Sequence, residues 1–176
     1  MRKIFAFLAA GVLFFCLSCN SKDSGGMSAK AKKNLEAAQA INKMFETGDW
    51  SKIGDYIASD AVDHAGMSGD VKGLDSIKAE LAHYNDMMTD MKNETVKELA
   101  DDDYVFQWQK ESSTMKVDAM GMKAGSRNSF DAIEVSKFNS DGKVTEHWSF
   151  VNYTDMMKMM PQQGSMGNKM DTTKHN

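Results

Sequence analysis

His64 is the residue whose chemistry is easiest to name. Its imidazole titrates near neutral pH and directly follows Asp63, so it is a candidate general base. It is equally readable as a structural histidine held by a neighbouring carbonyl or acid. Two further acids, Asp131 and Glu134, are candidates for moving a proton. In a strand they point to opposite faces, Glu134 with Phe130 and Phe138, Asp131 with Ile133 and Val135. At most one of them faces a pocket, and either can be a solvated strand residue. Tyr56, Tyr84, Tyr104, Phe106 and Trp108 offer an aromatic wall for a flat apolar ligand, or plain core. Trp148, Phe150 and Asn152 share a face of the last apolar run. Asn152 can donate and accept hydrogen bonds there but cannot act as a base.

Methionine is abundant, with 16 in the chain. Met156, Met157, Met159 and Met160 form the densest cluster, and soft thioethers select Cu(I). Thioethers also fill irregular gaps in ordinary proteins. No paired-histidine or cysteine set with zinc spacing occurs, nor a phosphate loop or dinucleotide glycine pattern. No cofactor is expected.

The chain opens with Arg2-Lys3, an apolar run of 14 residues from Ile4 to Leu17, and then Ser18-Cys19. A positive start, a short apolar core and a small residue before the cut describe a secretory signal. A cysteine directly after that small residue is the pattern of a bacterial lipoprotein. Residues 1–18 are read as the signal and Cys19 as the lipidated first residue of the mature chain. The apolar run is shorter than the ~20 residues a spanning helix needs. The expected address is therefore the cell envelope, with the protein lipid-anchored and not spanning. Asn20 after the cysteine favours the outer membrane where the cell has one. Cys16 leaves with the signal, so no disulfide or cysteine nucleophile is expected in the folded part.

The chain carries 21 Lys+Arg and 25 Asp+Glu. Losing Arg2 and Lys3 leaves 19 against 25, or −6. Such a balance argues against nucleic acid as a partner.

Residues 19–27 read as a tether and residues 28–155 as one folded domain. The first helix is expected over 28–47, with Leu35, Ala38, Ile41 and Phe45 near one face. A short second helix follows at Trp50–Ile57, a brief strand at 61–64, a glycine-rich loop at 66–73 and a helix at 74–88. The second half changes to a period of two. Strands are expected near 95–99, from Tyr104, at 129–138 and at 144–153. The third and fourth are joined by the turn Asn139-Ser140-Asp141-Gly142. Helices first and antiparallel strands second give an α+β domain. Residues 156–176 read as a methionine-rich disordered tail.

Three stretches resemble the SnoaL-like polyketide cyclase branch of the nuclear-transport-factor-2-like superfamily. They are MFETGDWSKIGDYIASDAVDHAG (44–66), GLDSIKAELAHY (73–84) and DAIEVSKFNSDGKVTEHWSFVN (131–152). The resemblance spans about residues 30–153. It implies a cone, a curved antiparallel sheet wrapped around N-terminal helices, with a pocket at its open end. Members include isomerases, cyclases, hydrolases, dehydratases and binding modules, so the fold does not fix the function.

The resemblance also assigns positions. It puts His64 at the pocket mouth, and Asn152 where enzymatic relatives often carry a proton-moving aspartate. It implies Tyr56, Tyr84, Phe106, Trp108, Glu134, Trp148 and Phe150 as lining. His147, opposite Trp148, falls on the face implied for a homodimer contact. The expected function is binding of a small, largely apolar molecule. The alternatives are cofactor-free proton transfer next to a carbonyl, with His64 or Asp131 as base, and copper handling by the tail.

Overall fold

The computed structural model describes residues 26–159. The signal, Cys19, Met160 and the rest of the tail lie outside the described residues.

Helix α1, Ala29–Thr47, starts where the Ser28 side chain accepts a hydrogen bond from Ala31 N at 2.9 Å. That contact satisfies one of the free N–H groups of the first turn. The helix stops at Gly48, whose φ of 68° is left-handed. A Cβ there would lie 2.8 Å from Nδ2 of Asn85, and that amide donates to Gly48 O at 2.9 Å. Glycine is thus required by both backbone angle and space. The buried face of α1 is made of Ala31, Asn34, Ala37 and Ala38, which lets it lie close on the sheet.

A 3-10 turn at Ile53–Asp55 replaces the expected second helix. Strand β1 is Ile57–Asp63 and β2 is the two-residue Val71–Lys72. Helix α2 is Leu74–Met87. Strands β3 (Met88–Ala100), β4 (Tyr104–Met115), β5 (Arg127–Phe138) and β6 (Val144–Val151) complete the sheet. Its order is β2-β1-β6-β5-β4-β3. Neighbours are antiparallel except β1 and β6, which are parallel. The domain is α+β, a curved sheet with α1 and α2 packed on its inner side. Ala37, Ala38, Ile77, Leu81, Ile57, Ala61, Val105, Phe138 and Val144 form one core there.

Strand β3 is much longer than its weak alternation suggests. It pairs with β4 along its whole length, with register breaks between Thr89 and Lys92 and between Thr95 and Lys97. Each break turns the alternation over and bends the strand, which hides the period from the sequence. The chain also stays ordered past Asp155. Helix α3, Tyr153–Met159, holds Met156, Met157 and Met159, so the tail assigned to 156–176 begins in a helix.

The second irregularity matters most. Lys137 pairs with Glu146, but Phe138 pairs with Val144, leaving Thr145 as an extra residue in β6. Val144 therefore points into the core, and so do His147, Ser149 and Val151. One inserted residue has exchanged the faces of everything that follows it. Reading β6 as an unbroken alternation puts Val144 and Trp148 together, and that is incorrect.

Candidate active site

Between α1, α2 and the inner face of the sheet lies a cavity of about 390 Å³, within the usual range for small-molecule sites. Ile41 and Phe45 from α1, Leu81 and Tyr84 from α2, and Phe130 from β5 make most of it apolar. Met67, Met88, Met91, Met120 and Met122 also line it. The sequence reading gave these methionines no place in a pocket.

Three acids and a histidine meet in this lining: Asp63 from β1, Glu111 from β4, Glu134 from β5 and His147 from β6. The β1–β6 pairing sets Asp63 opposite His147, and the β5–β6 pairing sets Glu134 opposite Ser149. Nδ1 of His147 is 3.0 Å from Oδ1 of Asp63, and Nε2 is 2.8 Å from Oε2 of Glu134. The Ser149 hydroxyl donates to Oε1 of Glu134 at 2.6 Å. Glu111 lines the same cavity, near enough to Glu134 for the two carboxyl groups to act on each other.

Burial works against charge on His147, but the hydrogen bonds and charges of Asp63 and Glu134 outweigh it and raise the imidazole to about 10. Both ring nitrogens then donate, one to each acid. Asp63 is likewise penalised by burial. Its bond to His147, that residue's charge and the Ala65 N–H nevertheless hold it below the usual carboxylate range. Glu111 goes the other way. Burial, then the charge of Glu134 and the bond to it, push Glu111 up to about 8, against a smaller opposing pull from His147. Burial and the neighbouring Glu134 thus both favour the protonated form of Glu111. A neutral acid in such a place can hand a proton to a ligand and take one back. The Tyr84 hydroxyl is raised to about 12 by burial, with Glu80, Asp63, Glu111 and Glu134 adding to the effect.

Several site residues expected from the sequence stand elsewhere. His64 is outside the cavity lining. Its ring stacks on Trp148 with centroids 4.9 Å apart, and its Nδ1 is 3.0 Å from Oδ1 of Asp70. It comes one residue after Asp63, so the inward place belongs to Asp63. Trp148 and Phe150 alternate with His147 and Ser149 and face outward, Phe150 being 57 % exposed. On β4 the same inversion leaves Phe106 43 % and Trp108 45 % exposed, while Gln107 and Glu111 face the cavity. These outer aromatics pack across strands, in the rows Leu99–Phe106–Val135–Trp148 and Trp108–Ile133–Phe150. Apolar alternation marked this outer face, and the polar one turned inward.

Tyr56 belongs to the core packing and not to the lining. Asp131 also lies outside the lining, its backbone N–H bonded to Asp155 and its carbonyl to Asn152 N. The Asn152 side chain accepts from Thr154 N at 2.9 Å. It caps α3 and has no part in the cavity. Glu134 and Tyr84 do line the cavity. His147, expected at an interface, is its central cation. Glu111 and Asp63 were not singled out in the sequence. The polar run Gln107, Gln109, Glu111 at alternate positions of β4 was the available signal. Met156 and Met157 are exposed on α3. Among the described residues no group of three or more His, Cys, Asp or Glu is placed to hold a metal ion.

The sequence model of the SnoaL-like polyketide cyclase family matches residues 35–161. The chain belongs to that family. Solved structures of similar fold include a SnoaL-like polyketide cyclase from Agrobacterium tumefaciens. It is 14% identical with a TM-score of 0.61, and the match covers 71% of this chain and 95% of that one. An epoxide hydrolase from M. tuberculosis is 14% identical with a TM-score of 0.62, covering 74% and 91%. TsrD from Streptomyces laurentii is 13% identical with a TM-score of 0.62, covering 73% and 94%. At these identities the likeness is one of fold. No curated protein matches the chain. The SnoaL-like domain thus carries a site whose residues have to be read from this chain itself.

Proposed function

We propose that the cavity binds a small, largely apolar molecule with its polar end against Glu111. Proton transfer between Glu111 and that end is the chemistry of the site. The observation that carries this reading is the hydrogen-bonded set Asp63–His147–Glu134 opening, beside Glu111, into an otherwise largely apolar cavity.

In the reaction we infer, Glu111 gives its proton to a heteroatom of the ligand and becomes a carboxylate. It then takes a proton from the carbon α to that C=heteroatom group, forming the new C=C bond, and returns to its starting state. The result is an isomerisation, and the same opening step would serve an intramolecular cyclisation. His147 offsets the transient negative charge on the Glu111–Glu134 pair. Asp63 keeps the imidazole charged and oriented.

The test is native mass spectrometry of the protein gently extracted from its own cells. A retained organic mass that is lost in Glu111→Leu supports the reading. A retained mass that is indifferent to Glu111 and His147 substitutions contradicts it.

We also propose that lipid on Cys19 tethers the domain to the bacterial envelope, on the strength of the order Leu17-Ser18-Cys19. Cys19→Ala should release the protein from membranes. Unchanged sedimentation with membranes would refute the anchor.

A further inference from the structure

The charges that face the cavity are unequal. Three acids, Asp63, Glu111 and Glu134, look into it, and His147 is the cation among its described lining residues, with no lysine or arginine beside it. Three carboxyl groups against a single imidazole leave the lining short of positive charge. A fourth acid, Glu80, stands near the lining, accepting from Met67 N at 2.8 Å. An anionic ligand would meet, among the described lining residues, only the His147 cation, whose two ring nitrogens are already taken by Asp63 and Glu134. A cation would be met by acceptors at Glu111 and Glu134 and by the ring faces of Phe45, Tyr84 and Phe130.

We infer that the polar end of the ligand is a basic nitrogen, so that this cavity selects apolar amines or imines over neutral alcohols and carbonyls, and excludes carboxylates. The inference rests on the cavity reading above and narrows it to one substrate class. Glu111 is the group that adapts. It passes its proton to an incoming free base and pairs with the resulting cation as a carboxylate. Nothing is oxidised or reduced, and one proton moves from oxygen to nitrogen. An imine protonated in this way can lose a proton from its adjacent carbon back to Glu111, which gives the enamine.

Three probes of one shape test this: naphthylmethylamine, naphthylmethanol and naphthoate, titrated calorimetrically into the full-length protein at pH 7. The expected order is amine, alcohol, acid, with at least about a tenfold step in affinity between each pair. Glu111→Gln, close in shape to the protonated acid, should lower amine affinity about tenfold and so erase the preference for the amine over the alcohol. An alcohol that binds as well as the amine, or naphthoate that binds as well as the alcohol, overturns the inference and leaves the cavity reading standing. An amine preference that survives Glu111→Gln also overturns it. If none of the three probes binds, the cavity reading fails as well.

Discussion

Nε2 of His147 lies 2.8 Å from Oε2 of Glu134 inside the cavity, while the next residue, Trp148, stacks on His64 outside it. Two histidines thus sit close together on either side of one sheet. One is locked into the acid cluster, and the other is a half-buried residue paired with Asp70 and Glu146. Substitution separates them. His147→Ala leaves Asp63 and Glu134 facing each other without a cation, which should cost on the order of 3–5 kcal/mol and abolish ligand binding. His64→Ala should change ligand affinity less than twofold. Chemical denaturation and calorimetric titration of the two variants check this.

Stability should fall as the solution becomes alkaline. The folded pKa of His147 is raised from 6.5 to about 10. Its contribution is therefore complete below pH 6.5 and lost progressively between pH 6.5 and 10. Glu111 is an acid with a raised folded pKa, from 4.5 to about 8. Its stability contribution, complete below pH 4.5, is lost as pH rises through 4.5 to 8. Glu111→Gln has no proton to lose. Its melting temperature relative to the unsubstituted protein should therefore climb between pH 5 and 8 and then level off. His147→Gln should flatten the decline above pH 6.5. Thermal melts across pH 5–10 measure both effects.

Much of the fold was legible because its signals are local. Ser28 as a cap, Gly48 as a helix stop, the spacing of Leu74, Ile77 and Leu81, and the Asn139–Gly142 turn each act over a few residues. The face of each strand was not legible in this way. Thr145 is an ordinary strand residue by type, and nothing in the sequence marks it as the extra one in β6. Because of it, His147 and Trp148 exchange sides. On β4 the aromatics Phe106 and Trp108 are the apolar alternation, yet they cover the outer face. The inner face needs Gln107 and Glu111 for the cavity. A strand with polar residues on its inner face and aromatics on its outer one inverts the pattern on which burial is usually read.

Deleting Thr145 should bring this inversion into view. The deletion would turn His147 and Ser149 outward or break the β5–β6 pairing. Either outcome should abolish ligand binding and lower the melting temperature by more than 10 °C, roughly 2 kcal/mol or more for a domain of this size. Thr145→Val keeps the extra residue and should preserve binding. Calorimetric titration and thermal melts of both variants separate a need for the residue count from a need for the hydroxyl.

Asn152 occupies a position that invites replacement by aspartate in a search for activity. Its side chain is engaged with Thr154 N, so Asn152→Asp should retain the cap and gain no activity. Asn152→Ala should cost about 1 kcal/mol through the lost cap and leave ligand affinity unchanged. A rise in turnover on Asn152→Asp would show that the side chain reaches the reacting groups.

The outer aromatics should be separable from the site. Trp108→Ser and Phe150→Ser alter the convex face and should leave ligand affinity within twofold, since neither side chain lines the cavity. Titration of the same ligand into both variants decides it.

The protonation state of Glu111 is the centre of this account and can be read without any ligand. Carbon-13 NMR of glutamate-labelled protein, with the Glu111 carboxyl assigned by its loss in Glu111→Gln, follows that group through a pH titration. The expected result is a carboxyl that is protonated at pH 7 and ionises near pH 8. A Glu111 carboxyl that ionises near pH 4.5, like an exposed glutamate, would contradict it.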